Sequence, residues 1–221
     1  MRDYSKIDMH INALMADVYP QPVDELHQRW ATKTIHAMVS KMKVKPDTVL
    51  DVGCGEGFCY PIFKSIGIEW EGITLGAEDY NATFRKTPHV KLMDFNFLSS
   101  IEDGSYDAIF ARHALEHSPM PLIALMEWRR VARKYLMLVV PAGEYWLYHG
   151  KNHYYVLDKE QLWWILARAG WYIIYDEVFT TMDDDFHLSR VDKGGKKIVY
   201  TQPVKDVEYR FLCEKVDPRK E

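Results

Sequence analysis

The sequence lacks the features of disulfide-rich, zinc-binding and membrane-spanning proteins. Its 221 residues include three cysteines, Cys54, Cys59 and Cys213, whose spacing matches neither a metal site nor a redox pair. Free thiols suit a reducing compartment, so we expect a cytoplasmic protein. No apolar run approaches transmembrane length, and the first six residues lack the apolar core of a signal peptide. We therefore expect no membrane span.

A basic excess, the usual mark of a nucleic-acid-binding protein, is also missing. The 28 Lys and Arg are outnumbered by 32 Asp and Glu, which gives a formal net charge of −4. This balance argues against a nucleic-acid partner. Aromatic residues are abundant instead, at 14% of the chain with seven Trp. Most of them are expected to fill the core, and the surplus slightly favours a pocket or interface lined with rings. The sequence indicates no oligomeric state.

The most informative motif is a glycine-rich turn directly after a short apolar run. Residues 49–52 read as a buried strand that includes Asp51, and glycines follow at positions 53, 55 and 57. A strand, a glycine turn and a helix bring a bare backbone up to a nucleoside-type ligand. Position 58 is Phe, so the pattern is D-x-G-x-G-x-G and not the G-x-G-x-x-G of dinucleotide sites. Glycine turns also occur in other α/β proteins, so the later segments decide the interpretation.

Strands and helices alternate after this turn, which predicts a mostly parallel sheet with helices on both faces. No helix separates the last two strands, so we expect an antiparallel edge there. Residues 192–199 read as a hairpin. The expected strands are 68–75, 90–95, 106–111, 134–141, 171–179 and 207–216, and the expected helices are 23–42, 58–65, 78–86, 122–133 and 158–169.

The glycine motif and this order of elements resemble those of class I S-adenosylmethionine (SAM)-dependent methyltransferases, over residues 45–180. The resemblance implies an α/β, Rossmann-like fold with a seven-stranded, mostly parallel sheet in the order 3-2-1-4-5-7-6. It implies SAM as the cofactor. It also implies an N-terminal helical cap at residues 1–45 and a methyltransferase domain at 46–221, with a hairpin-like insertion around 180–206.

The resemblance further implies how the chain would hold SAM. The glycine loop would bind the methionine end, with Asp51 near its ammonium group. Asp94 would accept a hydrogen bond from the adenine amino group while Phe95 packs on the ring. A solvated loop acid is the alternative for Asp94. The candidate cofactor-binding residues are Asp51, Gly53, Cys54, Gly55, Gly57, Thr74, Leu75, Asp94, Phe95 and Arg112.

The expected ribose contact departs from the family pattern. Most members end the second strand with an acid that accepts from both ribose hydroxyls, whereas this chain has Thr74 followed by Leu75. That pair is similar to the cyclopropane fatty acid synthase branch. A hydroxyl is a weaker partner than a carboxylate, so Glu78 or Asp79 is a candidate for the missing contact. Capping of their own helix is the alternative for both acids.

A second motif, His113-x-x-Glu116-His117, follows the fourth strand at the sheet edge where ligands bind. It matches the H-x-x-E-H zinc-protease signature, but that signature needs a long helix, and Pro119 and Pro121 follow closely here. Its L-E-H portion is similar to small-molecule methyltransferases, and ubiquinone-biosynthesis O-methyltransferases carry E-x-x-E-H here. That similarity implies a divalent-cation site of His113, Glu116 and His117. The alternative is that Glu116 and His117 shape the SAM pocket and His113 is structural.

The implied reaction is methyl transfer to a small-molecule acceptor, and an oxygen acceptor needs a base that removes its proton. His117 is the first candidate, with Glu116 beside it, because imidazole titrates near neutral pH. His149 and His153 lie in an aromatic segment, residues 145–155, that overlies the acceptor in related enzymes, and His153 is the third catalytic candidate. The rings suit a flat, aromatic or sugar-like substrate. A packed lid without a catalytic residue is the alternative.

Two other functions stay open on the sequence alone. A nucleic-acid methyltransferase is disfavoured because residues 112–115 replace an N-P-P-Y-like tetrapeptide and no Cys follows a Pro, although other RNA methyltransferases lack both signals. A non-catalytic SAM-binding protein is the third interpretation, which Thr74 favours. The acids within residues 182–187 are expected to be solvated and not to bind a cation.

Overall fold

The computed structural model describes residues 9–11, 13–14, 25–142, 152–180, 189–191, 197–199 and 206–215. The helices of four or more residues are α1 Glu25–Lys41, α2 Tyr60–Ser65, α3 Ala77–Phe84, α4 Pro121–Val131 and α5 Lys159–Arg168. The strands are β1 Thr48–Val52, β2 Glu69–Thr74, β3 Val90–Leu92, β4 Tyr106–Arg112, β5 Ala132–Pro141, β6 Trp171–Thr180, β7 Ser189–Val191, β8 Lys197–Val199 and β9 Asp206–Lys215. A 3-10 turn, Leu115–His117, follows β4.

Seven strands form one sheet in the order β3-β2-β1-β4-β5-β9-β6. Numbered within the sheet alone, this is the predicted order 3-2-1-4-5-7-6, which is confirmed. The pairs from β3 to β5 are parallel, and β9 runs antiparallel to both β5 and β6. Because β9 pairs with β5 on one side and with β6 on the other, the antiparallel strand lies inside the sheet.

The third strand is shorter than the sequence pattern suggested, ending at Leu92 and not at Phe95. Met93 still donates its backbone N–H to the Thr74 carbonyl at 2.9 Å. The side chain of Asp94 then accepts from the backbone N–H of Asn96 at 2.8 Å. This side-chain bond closes a turn and takes the backbone out of the ladder.

The two faces of the sheet carry separate cores. One face packs against α4 and α5 around Trp128, and the other packs against α1 and α2 around Phe63 and Phe110. Helix α1 buries Ile35 and Met38 in this second core. Helix α1 therefore covers one face of the sheet, and the carboxyl edge of the sheet is left to the loops that follow β1 to β4.

The region between β6 and β9 contains an antiparallel pair, β7 with β8, which lies where the sequence predicted a hairpin. The division into a cap at 1–45 and a domain at 46–221 stays a prediction, as does the extent of the insertion. Among the helices that the structure describes, none has both the length and the apolar composition needed to cross a membrane.

Candidate active site

The glycine loop leaves β1 with three residues in the left-handed region, at φ +71° for Gly53, +50° for Gly55 and +68° for Gly57. L side chains rarely adopt this conformation, which explains why glycine recurs at alternate positions. The loop is tied to β2 because Cys54 donates its backbone N–H to the Ile73 carbonyl at 2.9 Å. The Cys54 side chain is buried, and burial raises the pKa of its thiol well above the ordinary value.

Only one of these glycines faces open space. A Cβ on Gly53 would lie 2.8 Å from the Cβ of Ala114, and one on Gly57 would lie 2.6 Å from the Cγ2 of Thr83. No atom lies within 4 Å of the corresponding position on Gly55. Packing thus requires Gly53 and Gly57, whereas Gly55 leaves a stretch of backbone uncovered for a ligand to approach.

Asp51 is a buried carboxylate beside the glycine loop. Its Oδ2 accepts from the indole Nε1 of Trp70 at 2.9 Å. Burial raises the pKa of Asp51 to about 7, although the Trp70 bond and the charge of Arg112 act in the opposite direction. Trp70 had no motif to mark it in the sequence, because its role depends on the pairing of β1 with β2.

The end of β2 offers little polar surface. Thr74 is buried, and Leu75 is only partly buried against the core. Asp79, in the first turn of α3, is half-buried, and its pKa is raised by burial and by the charges of Glu56 and Glu78. Thr83, one turn later on the same face of α3, donates its hydroxyl to the Gly55 carbonyl at 2.8 Å. The structure therefore brings Asp79 toward the glycine loop, whereas its contact with a ribose stays a prediction.

The two predicted adenine residues differ in their surroundings. Asp94 follows β3 and its Oδ1 accepts from both the backbone and the side-chain nitrogen of Asn96, at 2.8 Å each. Phe95 is buried, with its ring edge-on to Trp128 at 6.2 Å, and its carbonyl accepts from the Trp128 indole. Phe95 is thus largely a core residue, and the adenine role of this pair stays a prediction.

His113 begins the segment after β4 in a left-handed conformation, at φ 52°. Its backbone N–H donates to the Val139 carbonyl, and its Nε2 donates to the Oε1 of Glu208 at 3.1 Å. Burial and the charge of Arg112 lower the pKa of His113 to about 4, so the ring is neutral near pH 7. Its Nδ1 lies 3.7 Å from Glu116, but its closest polar partner is Glu208.

Glu116 is the most unusual group of the site. Its side chain is 1% exposed, and within the part of the chain that the structure describes neither carboxylate oxygen has a hydrogen-bond partner. Burial raises the pKa of Glu116 to about 8. The Glu116 carbonyl accepts from the backbone N–H groups of Tyr154 and Tyr155, which holds the segment after residue 151 over this turn.

His117 and His153 complete a cluster with Glu116. Their rings meet edge to face at 4.8 Å, and one ligand atom from each of the three residues lies within 4.8 Å of the others. His117 Nδ1 lies 3.0 Å from the Asn152 carbonyl, which can only accept, so Nδ1 carries the proton and Nε2 a lone pair. Burial and the neighbouring His153 lower the pKa of His117 to about 4.

The structure thus groups the predicted residues differently from the sequence motif, which joined His113 to Glu116 and His117. It brings the three catalytic candidates Glu116, His117 and His153 together, and it places His153 where the predicted cation set had His113. Two further segments noted in the sequence, His149 and residues 182–187, lie outside the described residues.

A buried ion cluster that the sequence analysis missed supports this segment. Glu208 on β9 is fully buried; its Oε1 accepts from Arg112 at 2.6 Å and from His113, and its Oε2 accepts twice from Arg210. Burial alone would raise the pKa of Glu208, but the charge of Arg112 and the His113 bond outweigh it and hold the pKa well below its ordinary value. The available signal was two opposite charges at alternate positions, Glu208 and Arg210, directly before the apolar run at 211–213.

Replacing Glu116 by Gln should flatten the fall of stability at alkaline pH. The folded state keeps the Glu116 proton up to about pH 8, whereas the unfolded chain releases it near the ordinary pKa of 4.5. Stability contributed by the protonated group is therefore lost as pH rises through this range. Between pH 6.5 and 8 the wild type should lose about 2 kcal/mol more than Glu116→Gln, measured by urea unfolding. The exposed Glu69→Gln variant is the control, and equal slopes for wild type and Glu116→Gln would show that Glu116 ionises normally.

Solved structures with this fold include several SAM-dependent methyltransferases. An enzyme of this class from Archaeoglobus fulgidus superposes with a TM-score of 0.67 at 20% identity, over 85% of this chain and 94% of that chain. A Haloferax volcanii methyltransferase solved with the Trm112 methyltransferase activator gives 0.66 at 15% identity, over 86% and 95%. Magnesium protoporphyrin IX methyltransferase from Synechocystis, solved with bound SAM, gives 0.61 at 14% identity, over 98% of both chains. At these identities the likeness shows the fold.

The sequence itself also matches a known family. Residues 24–176, well over half of the chain, match the Methyltransf_23 family model, described as a methyltransferase domain. The matched range includes the glycine loop, Asp94 and the whole segment from His113 to His117. The chain belongs to this family and is a SAM-dependent methyltransferase.

Proposed function

We propose that this enzyme transfers the methyl group of SAM to an oxygen atom of a small-molecule acceptor, with His117 as the base that takes the acceptor proton. The observation that carries this proposal is the cluster of His117, Glu116 and His153 at the carboxyl edge of β4. His117 is held as a neutral imidazole with its lone pair on Nε2. A neutral ring is available to accept a proton throughout the physiological pH range.

The residues present fit SAM as the cofactor. The open backbone at Gly55 offers a cradle that a Cβ would fill, and Asp51 lies beside it as a buried carboxylate suited to an ammonium group. SAM supplies an electrophilic methyl group on a sulfonium, so the protein's task is to align the acceptor and remove its proton. The glycine loop, Asp51 and Asp94 would hold the cofactor, with Asp79 as the candidate for the ribose.

Glu116 would support the base. Proton transfer to His117 creates an imidazolium in a buried environment, which is costly unless a negative charge lies nearby. The Glu116 carboxyl, with a pKa of about 8, can lose its proton close to working pH and compensate that charge. His153 contacts the His117 ring edge to face and helps fix its orientation.

Several observations support a small-molecule acceptor over a nucleic acid. The net charge of −4 provides no basic field for a phosphate backbone. Two structural neighbours carry small molecules in their names, magnesium protoporphyrin IX methyltransferase and a possible histamine N-methyltransferase from Thermotoga maritima. The L-E-H step at 115–117 is similar to ubiquinone-biosynthesis O-methyltransferases. We also propose that the protein is cytoplasmic, as its free thiols suggest.

The Gly55→Ala variant tests the cofactor site. A methyl group there would occupy the open cradle, so we expect the SAM dissociation constant measured by calorimetry to rise about tenfold or more. Gly67→Ala is the matched control, because Gly67 also has a positive φ, at +67°, but lies beyond α2 away from the loop. Both variants should lose similar stability, about 1 kcal/mol. Equal SAM affinity in the two would refute the assignment of Gly55.

The His117→Asn variant tests the base. Wild-type protein is incubated with methyl-deuterated SAM and a small-molecule extract, and labelled products are identified by mass spectrometry and NMR. With the acceptor in hand, His117→Asn should lower kcat by about 10²–10⁴ while SAM affinity stays within twofold. The exposed His36→Asn variant is the control. Label found in RNA, or at nitrogen or carbon, would contradict the proposed acceptor, and SAM binding without any transfer would favour a non-catalytic protein.

The same cluster is a candidate divalent-cation site. Two imidazoles and a carboxylate form a donor set that suits zinc or manganese better than magnesium. A cation there would take the Nε2 lone pair that the base needs, so the base role predicts that calorimetry detects no binding of Mn²⁺ or Zn²⁺. Binding that His153→Gln weakens about tenfold or more, and that exposed His89→Gln leaves unchanged, would favour the cation site instead. No binding of either ion to the wild type would leave His117 to act without a cation.

A further inference from the structure

Arg112 is a buried cation with fewer acceptors than its guanidinium can satisfy. Its side chain is 6% exposed, and its Nη2 donates to Glu208 at 2.6 Å. Its Nε is buried and has no hydrogen-bond partner in the described part of the chain. A buried charged donor without an acceptor is costly, so such a group calls for an explanation.

The partner carboxylate of Arg112 is already shared. Glu208 uses one oxygen for two bonds from Arg210 and the other for both Arg112 and His113. Arg210 has a second acid nearby, Glu177 at 3.3 Å. Two guanidinium groups thus divide one fully buried carboxylate, and the excess positive charge lies on the side of Arg112.

Arg112 lies on the same face of the sheet as Asp51. The register pairs Asp51 with Phe110, and positions 110 and 112 of a strand share a face. The guanidinium of Arg112 lies 5.8 Å from the ring centre of Phe58, at the end of the glycine loop. Asp51 and Arg112 both act electrostatically on the thiol of Cys59 at the start of α2. Opposite charges therefore flank the glycine loop on one face.

We propose that Arg112 donates to the carboxylate at the methionyl end of SAM, beside Asp51, which the resemblance to the family already assigns to the ammonium group of that end. An amino-acid group carries both charges on adjacent atoms, and this pair offers the complement of each. Glu208 is then a positioning residue, because it orients the guanidinium without touching the ligand. The inference rests on SAM as the cofactor and is independent of the acceptor.

Three ligands separate the two recognition events. SAM carries both charges, decarboxylated SAM keeps the ammonium and loses the carboxylate, and 5′-methylthioadenosine has neither. By calorimetry, Arg112→Gln should weaken SAM about tenfold or more and leave decarboxylated SAM within about twofold of its wild-type value. Asp51→Asn, which keeps an acceptor for the Trp70 indole, should weaken both. Neither variant should change the affinity for 5′-methylthioadenosine.

The controls distinguish a specific effect from loss of structure. Arg133→Gln removes a matched arginine, which pairs with Asp107 at 2.9 Å, and should leave all three affinities unchanged. Arg112→Lys keeps the charge and should bind SAM better than Arg112→Gln does. An unchanged SAM affinity in Arg112→Gln, or equal losses for SAM and decarboxylated SAM, would overturn the inference. Wild-type protein that binds no SAM would instead contradict the cofactor assignment.

Discussion

The buried carboxylate of Glu208 is the contact on which the arrangement of the site depends. It joins β9 to the end of β4 by accepting from Arg112 and His113, and its other oxygen is held by Arg210. Removing one member of such a cluster leaves uncompensated charge in a low-dielectric interior, which is strongly destabilising. The turn that carries Glu116 begins directly after these residues, so its position follows from this cluster.

A second constraint is the close packing of the glycine loop against the start of the 115–117 turn. The backbone of Gly53 lies so close to Ala114 that a Cβ on Gly53 would lie only 2.8 Å from the Ala114 Cβ. The glycine loop and the 115–117 turn therefore pack directly against each other. Gly55, the proposed cofactor cradle, and His117, the proposed base, are in consequence held on neighbouring strand ends, which is the proximity that methyl transfer requires.

The sequence was sufficient to predict most strands and helices, because apolar runs, glycine turns and helix caps are local signals, and the sheet order followed from the resemblance to the methyltransferase family. It failed where a partner comes from a distant segment. Glu208 lies 95 residues beyond His113. The spacing of the motif therefore suggested that His113 binds a cation together with Glu116 and His117. The position of His153 beside Glu116 and His117 depends on the backbone hydrogen bonds that hold the segment after residue 151 to Glu116. The early end of β3 reflects a side-chain turn at Asp94, which hydrophobic periodicity does not report.

The proposed reaction requires that the enzyme hold His117 neutral, with its proton on Nδ1 and its lone pair on Nε2. The carbonyl of Asn152 fixes this tautomer, while burial and His153 disfavour the imidazolium. Long-range ¹H–¹⁵N NMR of the imidazole nitrogens, recorded between pH 5 and 8, measures the tautomer and the pKa directly. We predict a protonated Nδ1 and a ring that stays neutral down to pH 5, since the pKa of His117 is about 4. A protonated Nε2, or a His117 pKa at or above its ordinary value of 6.5, would contradict it.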